Sequence, residues 1–309
     1  MEIGQLRALR ALGERDSIAA VAAAMHVTPS AVSQQLSALQ RQSAVPLTYR
    51  DGRRTALTAA GLALAAAAID VDVALARAES AVAAFEGDAT ATVSVAAFHS
   101  AGLAMFGPLL SAAAARAHPD VALTDFDVAQ TDFPALTAHH DLVVAHRLVG
   151  SPTWPTWVRS RPLLDEPLDI ALRRDHPLAG RRRIHPADLR DQSWVAVHEG
   201  FPLEQAISVI ATIGGREARI PHRINEFLVA AAVVAASDCV ALLPRYTTDL
   251  HRHPDIVLRP LEGTAVGRHI DVLARPEVLE RRSVRAVLAD LRGIAAQLSR
   301  PGPPAPRAA

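Results

Sequence analysis

Over residues 1–58 the apolar positions fall three and four apart, the spacing of short amphipathic helices. Ile3, Leu6, Leu9 and Leu12 share one face of a first helix that ends near Gly13. Ser17 is placed to cap a second helix running to about Met25, with Ile18, Val21, Ala22 and Met25 on its buried side. After His26-Val27, Thr28 caps a third helix with Pro29 in its first turn, where the missing N–H costs nothing. That helix buries Ala31, Val32, Leu36 and Leu39 and shows Ser30, Ser33, Gln34, Ser37 and Arg41 on its other face. Leu47 to Arg50, Asp51-Gly52 and Arg53 to Leu57 then read as a hairpin on an Asp-Gly turn.

The next stretch carries the cleanest period in the chain. Leu64, Ala68, Val71, Leu75, Ala78, Val82 and Phe85 alternate spacings of four and three, an a/d seam free of charge. Thr58 suits the N-cap of this helix, and Gly61 weakens its first turn slightly. A narrow, Ala-rich seam fits pairing with a second copy better than lying on its own domain; the spacing predicts a dimerisation helix over 59–88.

Beyond Thr90 strand-like and helix-like runs alternate. Strands are expected at 92–98, 121–128, 141–145, 168–172, 193–197, 219–224, 240–243, 256–260 and 269–274. Helices are expected at 103–117, 133–138, 202–213, 227–236 and 278–298. This order implies parallel pairing with right-handed crossovers. The organisation is therefore α+β and multidomain: a head at 1–58, a connecting helix at 59–88 and a large α/β body at 89–300. The Pro-rich end, 301–309, reads as disordered.

Composition changes this picture in one respect. The 309 residues carry 32 basic and 32 acidic groups, and every basic residue is Arg. That zero net charge argues against nucleic acid until it is divided. The head has seven arginines against four acids, and the connecting helix one arginine against five acids. The acidic helix conceals a basic head. One cysteine, Cys239, excludes an internal disulfide and any cysteine-built metal site. The uncharged run Thr55 to Ile69, mostly Ala and Thr, falls short of the roughly 20 apolar residues of a membrane span. These features predict a cytoplasmic protein with no membrane partner.

Two short helices, the second with small polar groups outward, suit entry into a major groove of double-stranded DNA. Ser and Gln can bond base edges or phosphates, and a helix N-terminus favours a phosphate. Arg50, Arg53 and Arg54 at the hairpin tip would meet backbone phosphates as a wing, with forked contacts that Lys lacks.

With these residues in place the chain resembles the LysR-type transcriptional regulators. The resemblance rests on Leu6, Leu9, Ser17-Ile18, Ala22, Met25, Val27-Thr28, Ala31-Val32-Ser33, Leu36, Leu39, Val45-Pro46-Leu47, Arg50, Arg53, Leu57-Thr58 and Gly61. It implies a winged helix-turn-helix that binds DNA through Thr28 to Arg41 and the arginine wing, and assembly as a homodimer or homotetramer. Gln40, Ala44 and Thr48 stand where the family has Glu, Gly and Phe, which should loosen the wing. Weaker anchors extend the resemblance to the body: Pro108-Leu109-Leu110, His118-Pro119, Asp141-Leu142-Val143, Asp175-His176-Pro177-Leu178 and Leu242-Leu243-Pro244. They imply the two-lobed fold of periplasmic binding proteins, one lobe at about 89–161 with 266–300 and the other at about 162–265. Ser237-Asp238-Cys239 replaces a Gly-x-Gly, which leaves the backbone there in question.

In such lobes a ligand sits at the carboxyl ends of strands, against helix N-termini. The corresponding positions are His99, Ser100, Gln130, Thr131, His146, Arg147, His198, Glu199 and Asn225. They would offer a small-molecule effector hydrogen-bonding groups and one guanidinium, Arg147. Ser100, at a helix start, suits a carboxylate or other anion, and histidines facing the cleft would make binding pH-sensitive. His139-His140 and His251-x-His253 are poor metal signatures, and no catalytic constellation or cofactor motif stands out. The leading expectation is a ligand-responsive DNA-binding regulator, not an enzyme. Two readings compete: a binding protein or enzyme whose head only dimerises, and a regulator that has lost effector control.

Overall fold

The computed structural model describes residues 1–15, 17–52, 54–86, 91–115, 119–199, 201–248, 253–263 and 266–300. Arg53, His251 and the tail at 301–309 fall outside these residues, as do the side chains of 83–86, Phe85 included.

Helices α1 (Ile3–Glu14), α2 (Ile18–Ala24) and α3 (Pro29–Gln40) close around Leu9, Leu12, Val21, Val32, Leu36 and Leu39. Ser17 Oγ accepts the Ala20 N–H and Thr28 Oγ1 the Ala31 N–H, so both N-caps stand where the sequence puts them. The turn joining α2 to α3 depends on His26, at φ 55°, in the left-handed region that glycine usually fills after a helix. It lets the Val27 N–H reach the Ala22 carbonyl.

Strands β1 (Thr48–Asp51) and β2 (Arg54–Leu57) form the wing, with Asp51 opposite Arg54. This register draws Asp51 into the strand and leaves Gly52, at φ 59°, at the tip, one residue beyond the expected turn centre. At Gln40 and Ala44 the family departures are accommodated. Gln40 Oε1 accepts the Leu47 N–H at 2.8 Å and its Nε2 donates to the Val45 carbonyl at 3.0 Å. Ala44 lies outside the left-handed region, so no glycine is required there.

Helix α4 (Ala59–Glu86) leaves the wing at Thr58, whose Oγ1 caps the Gly61 N–H and donates to the Pro46 carbonyl. Its stripe is not one continuous seam. Leu64 and Ala65 pack on the head core, Ala68 is buried, and Asp72 is buried against α1. Leu75 is half-buried, whereas Val71, Ala78 and Val82 stand exposed, Val82 to 61%. The front of the expected dimer seam is thus used within the chain, because α1 offers Leu9 and Leu12 directly opposite. Ala59–Val82 is also long and apolar enough by composition to cross a membrane, mean hydropathy 1.8, which counting only uncharged residues overlooks. Asp70, Asp72, Arg77 and Glu79 interrupt it, and two arginines hold Asp72.

The body is one nine-stranded sheet in the order β4-β3-β5-β11-β6-β9-β7-β8, with β10 also on β6. β3 (Val93–Phe98), β4 (Val121–Phe126) and β5 (Leu142–Leu148) pair in parallel, as do β7 (Ser193–Ala196), β8 (Arg219–Arg223) and β9 (Val240–Pro244). Between these sets run two long antiparallel strands, β6 (Arg159–Arg173) and β11 (Gly267–Ala274); β10 spans Ile256–Arg259. β6 pairs with β11 up to Pro167 and with β9 from Leu168, so the change of lobe lies several residues beyond the expected 162. Pro162, Pro167 and four charges hide the first half of this strand from a propensity reading. Helices α5 (His99–Ala115), α6 (Phe133–Leu136) and α9 (Arg282–Leu298) cover the first lobe, and α7 (Pro202–Ile213) and α8 (Phe227–Ala235) the second.

Gly61 gives a direct test of the junction between wing and helix. A Cβ there would stand 2.0 Å from the Leu47 carbonyl oxygen, so Gly61→Ala should destabilise the head by about 2 kcal/mol despite alanine's better helix propensity. Thermal unfolding followed by circular dichroism checks this; an unchanged or higher Tm would refute the contact.

Candidate functional site

On the head, the outer face of α3 is as the sequence reading expects. Thr28, Pro29, Ser30, Ser33, Gln34, Ser37 and Arg41 are all exposed. Some of their hydrogen-bonding capacity is already engaged: Thr28 Oγ1 caps α3 and contacts Ser30 Oγ at 2.9 Å, and Ser33 Oγ donates to the Pro29 carbonyl. Gln34, Ser37 and Arg41 project from the middle and end of the same face. Arg50 and Arg54 are exposed on the wing.

Arg10 ties the head to the body. Arg10 Nε meets Glu14 at 2.8 Å, and its Nη1 meets Asp72 of α4 at 3.0 Å and Glu277, just after β11, at 3.2 Å. Burial opposes its charge, but Glu277 and Glu14 outweigh that and raise its pKa above the usual arginine value. A cavity of about 500 Å³ adjoins this junction, with Arg7, Arg15 and Arg275 also on its walls.

The cleft between the lobes holds a larger cavity of about 600 Å³. Its walls include His99, Ser100, Gln130, Thr131, His146, Glu199 and Asn225, seven of the nine positions the sequence marks. Two do not line it. Arg147 follows His146 on β5 and therefore faces the opposite side of the sheet, where its Nε lies 3.4 Å from Asp271. His198 contributes its backbone, donating its N–H to Asn225 Oδ1 at 2.9 Å.

The guanidinium in the cleft is Arg268, on β11, which no local sequence signal marks. It is buried beside Glu166, its partner across β6, with Nε and Nη2 both within 2.9 Å of Glu166 Oε2. Nη2 also donates to Ser100 Oγ at 2.9 Å and Thr247 Oγ1 at 2.8 Å. Burial pushes Arg268 below the usual arginine value and Glu166 opposes the shift; a guanidinium stays charged regardless. Ser100 thus serves an internal cation rather than waiting for an external anion. Arg268 also lies 4.7 Å from the Phe98 ring centroid and 5.6 Å from that of Phe227.

The sequence reading also missed the aromatic character of the cleft. Four of the seven phenylalanines in the chain, Phe98, Phe126, Phe201 and Phe227, line this one cavity. Because they lie on four separate segments, only the tertiary fold gathers them. His146 stacks edge-on to Phe98 at 4.7 Å, and its Nδ1 is sealed from solvent without a partner among the described residues. Burial, and then the Arg268 charge, push its pKa down to about 3, so it is neutral at physiological pH and cannot be the expected sensor there. Ser237-Asp238-Cys239 lies off the cavity: Ser237 Oγ bonds the Val233 carbonyl and the Cys239 N–H, closing the end of α8. Among the described residues no group of three His, Cys, Asp or Glu could hold a metal ion.

Comparison with known proteins gives this arrangement a family. A model described as the bacterial regulatory helix-turn-helix protein, lysR family, matches residues 3–62, and the LysR substrate binding domain matches residues 86–295. The chain belongs to the LysR family of transcriptional regulators. It is 26% identical to a RuBisCO operon transcriptional regulator of Allochromatium vinosum over 67% of each chain. It is also 26% identical to the Hca operon transcriptional activator HcaR of Escherichia coli over 85% of this chain and 88% of that one. Full-length OxyR from Pseudomonas aeruginosa shares its fold with TM-score 0.64 at 20% identity, covering 98% of this chain and 99% of that one. CbnR in complex with its target DNA aligns with TM-score 0.53 at 24% identity, covering 96% and 100%. This LysR-family chain is therefore a DNA-binding regulator with an effector-binding domain.

Two measurements test the cleft. An unfolded histidine takes up a proton below pH 6.5 and folded His146 only near pH 3, so the unfolded state binds more protons between those values. Stability should fall as pH drops through that window, by at most about 1.4 kcal/mol per unit, and His146→Phe should flatten the slope of urea midpoints against pH. Glu166→Gln leaves Arg268 buried without a counter-charge and should cost about 3–5 kcal/mol, whereas replacing both residues by apolar ones should restore much of it.

Proposed function

We propose that this regulator reads double-stranded DNA through the exposed face of α3, with Gln34, Ser37 and Arg41 reaching base edges or phosphates. Arg50, Arg53 and Arg54 hold the backbone beside it. The observation that carries the reading is that face itself: six polar side chains with Pro29, all exposed, on a helix whose opposite side is fixed into the head core by Val32, Leu36 and Leu39. The other half of the reading is a homodimer joined along α4, where Val71, Ala78 and Val82 stand exposed and uncharged. The cleft between the lobes takes a small-molecule effector that shifts the DNA-bound equilibrium by binding one lobe arrangement better than another. The working compartment is the cytoplasm, where the DNA lies. An operator complex, like the one crystallised for CbnR, is the expected active form.

Neither competing reading has a specific observation behind it. A head that only dimerises would need no outward row of Ser, Gln and Arg. Loss of effector control was suggested by Ser237-Asp238-Cys239, which touches no part of the cavity.

The test is a mobility-shift titration against the DNA upstream of the chain's own gene, over a salt series. Combined Arg50→Ala, Arg53→Ala and Arg54→Ala should weaken binding to all sequences alike and reduce the slope of log K against log salt by about one per lost phosphate contact. Gln34→Ala should instead alter preference among operator variants. No sequence-selective complex at low salt would end the DNA-binding assignment.

A further inference from the structure

The charges around the cleft are distributed in a way that selects among effectors. Of the residues lining the cavity, Arg268 and His99 are the cationic candidates, and both are committed. Arg268 is held by Glu166 as described, and His99 Nδ1 lies 2.6 Å from Asp125 Oδ2. Three acids line the same cavity: Asp127, Glu199 and Glu226. Glu199 meets Arg223 at 2.9 Å, while Glu226 Oε1 accepts the Leu228 N–H and so occupies the start of α8. No ion pair joins Asp127 among the described residues. An incoming carboxylate would have to leave water, find no unpaired cation and sit near two carboxylates that lack one. The apolar part of the wall combines Phe98, Phe126, Phe201 and Phe227 with the aliphatic Val128, Leu148, Val197 and Leu203, and His146, neutral, stands edge-on to Phe98.

We infer that the effector of this regulator is an aromatic or heteroaromatic molecule without negative charge, its polar or cationic end directed at Asp127 and Glu226. This rests on reading the cleft as the effector site. It reverses the anionic ligand that Ser100 at a helix start suggests, because Ser100 Oγ already receives an Arg268 N–H.

Three molecules of nearly one shape separate the charge classes: benzamidine, benzamide and benzoate, titrated calorimetrically into the full-length protein at pH 7.5. Benzamidine and benzamide should each bind at least tenfold more tightly than benzoate. In the double variant Asp127→Asn, Glu226→Gln the advantage of benzamidine over benzoate should shrink at least fivefold. Benzoate binding as tightly as the other two, an unchanged ratio in the double variant, or no binding of any probe at 10 mM (about 2.7 kcal/mol of binding free energy) would each overturn the proposal. Leu148→Trp, which fills the cavity, separates failure of the ligand class from failure of the site: binding with the expected ranking that survives it would place the ligand elsewhere and sink the cleft reading. Thr131→Trp fills the cavity from a surface position and serves the same purpose if Leu148→Trp fails to fold.

Discussion

The Glu166 carboxylate and the Arg268 guanidinium face each other between the two strands that join the lobes, and much of the body is arranged to make that burial tolerable. Each charge alone would cost several kcal/mol out of water, and neighbouring oxygens and N–H groups are recruited to both. Glu166 Oε1 accepts the backbone N–H groups of Tyr246 and Thr247, at 2.8 and 2.6 Å. Arg268 reaches Ser100 and Thr247. One ion pair thereby fixes β6, β11, the turn after β9 and the start of α5, elements from both lobes. The floor of the cleft is polar because of it, while four phenylalanines supply much of the apolar surface of the walls. A purely apolar floor could pack as well. It would not specify the relative register of β6 and β11 at the point where the sheet changes lobes, beside the bulge at Ile270–Asp271.

The head was legible in the sequence because its determinants are local. Ser17, Thr28 and Pro29 act within one helical turn, and the periods of three and four place Val32, Leu36 and Leu39 inside without knowledge of any other element. The body was legible in order but not in its site. Choosing His146 together with Arg147 ignored the alternation of a strand, which sends neighbours to opposite faces. The first half of β6 was hidden by Pro162 and Pro167, which a strand tolerates here because the flanking pairings with β11 and β9 carry the ladder around them. Arg268 and Glu166 are separated by 102 positions in the chain, and nothing short of the fold brings them together. The same holds for the four phenylalanines. Local chemistry is written in spacing; a cleft is written in topology.

Between these two regions stands Arg10. It is on the first helix of the head yet contacts α4 through Asp72 and the body through Glu277, and all three side chains are largely sealed from water. The pairs are charge-assisted and short, so they resist screening better than surface pairs would. The orientation of α3 relative to the lobes is therefore linked to a small number of directional contacts, to which Arg77 and Ser80 of α4 add theirs with Glu280.

The exposed second half of α4 has a thermodynamic meaning. Val71 and Val82, with Leu62 nearer the wing, hold apolar surface in water that a single protomer has no means of covering. Covering it by a second chain couples folding to association, so the free energy of the native state contains a term in the logarithm of protomer concentration. A scarce regulator would then be a less stable one. Were that helix the seam between protomers, its abundance in the cell and its conformational integrity would become a single variable.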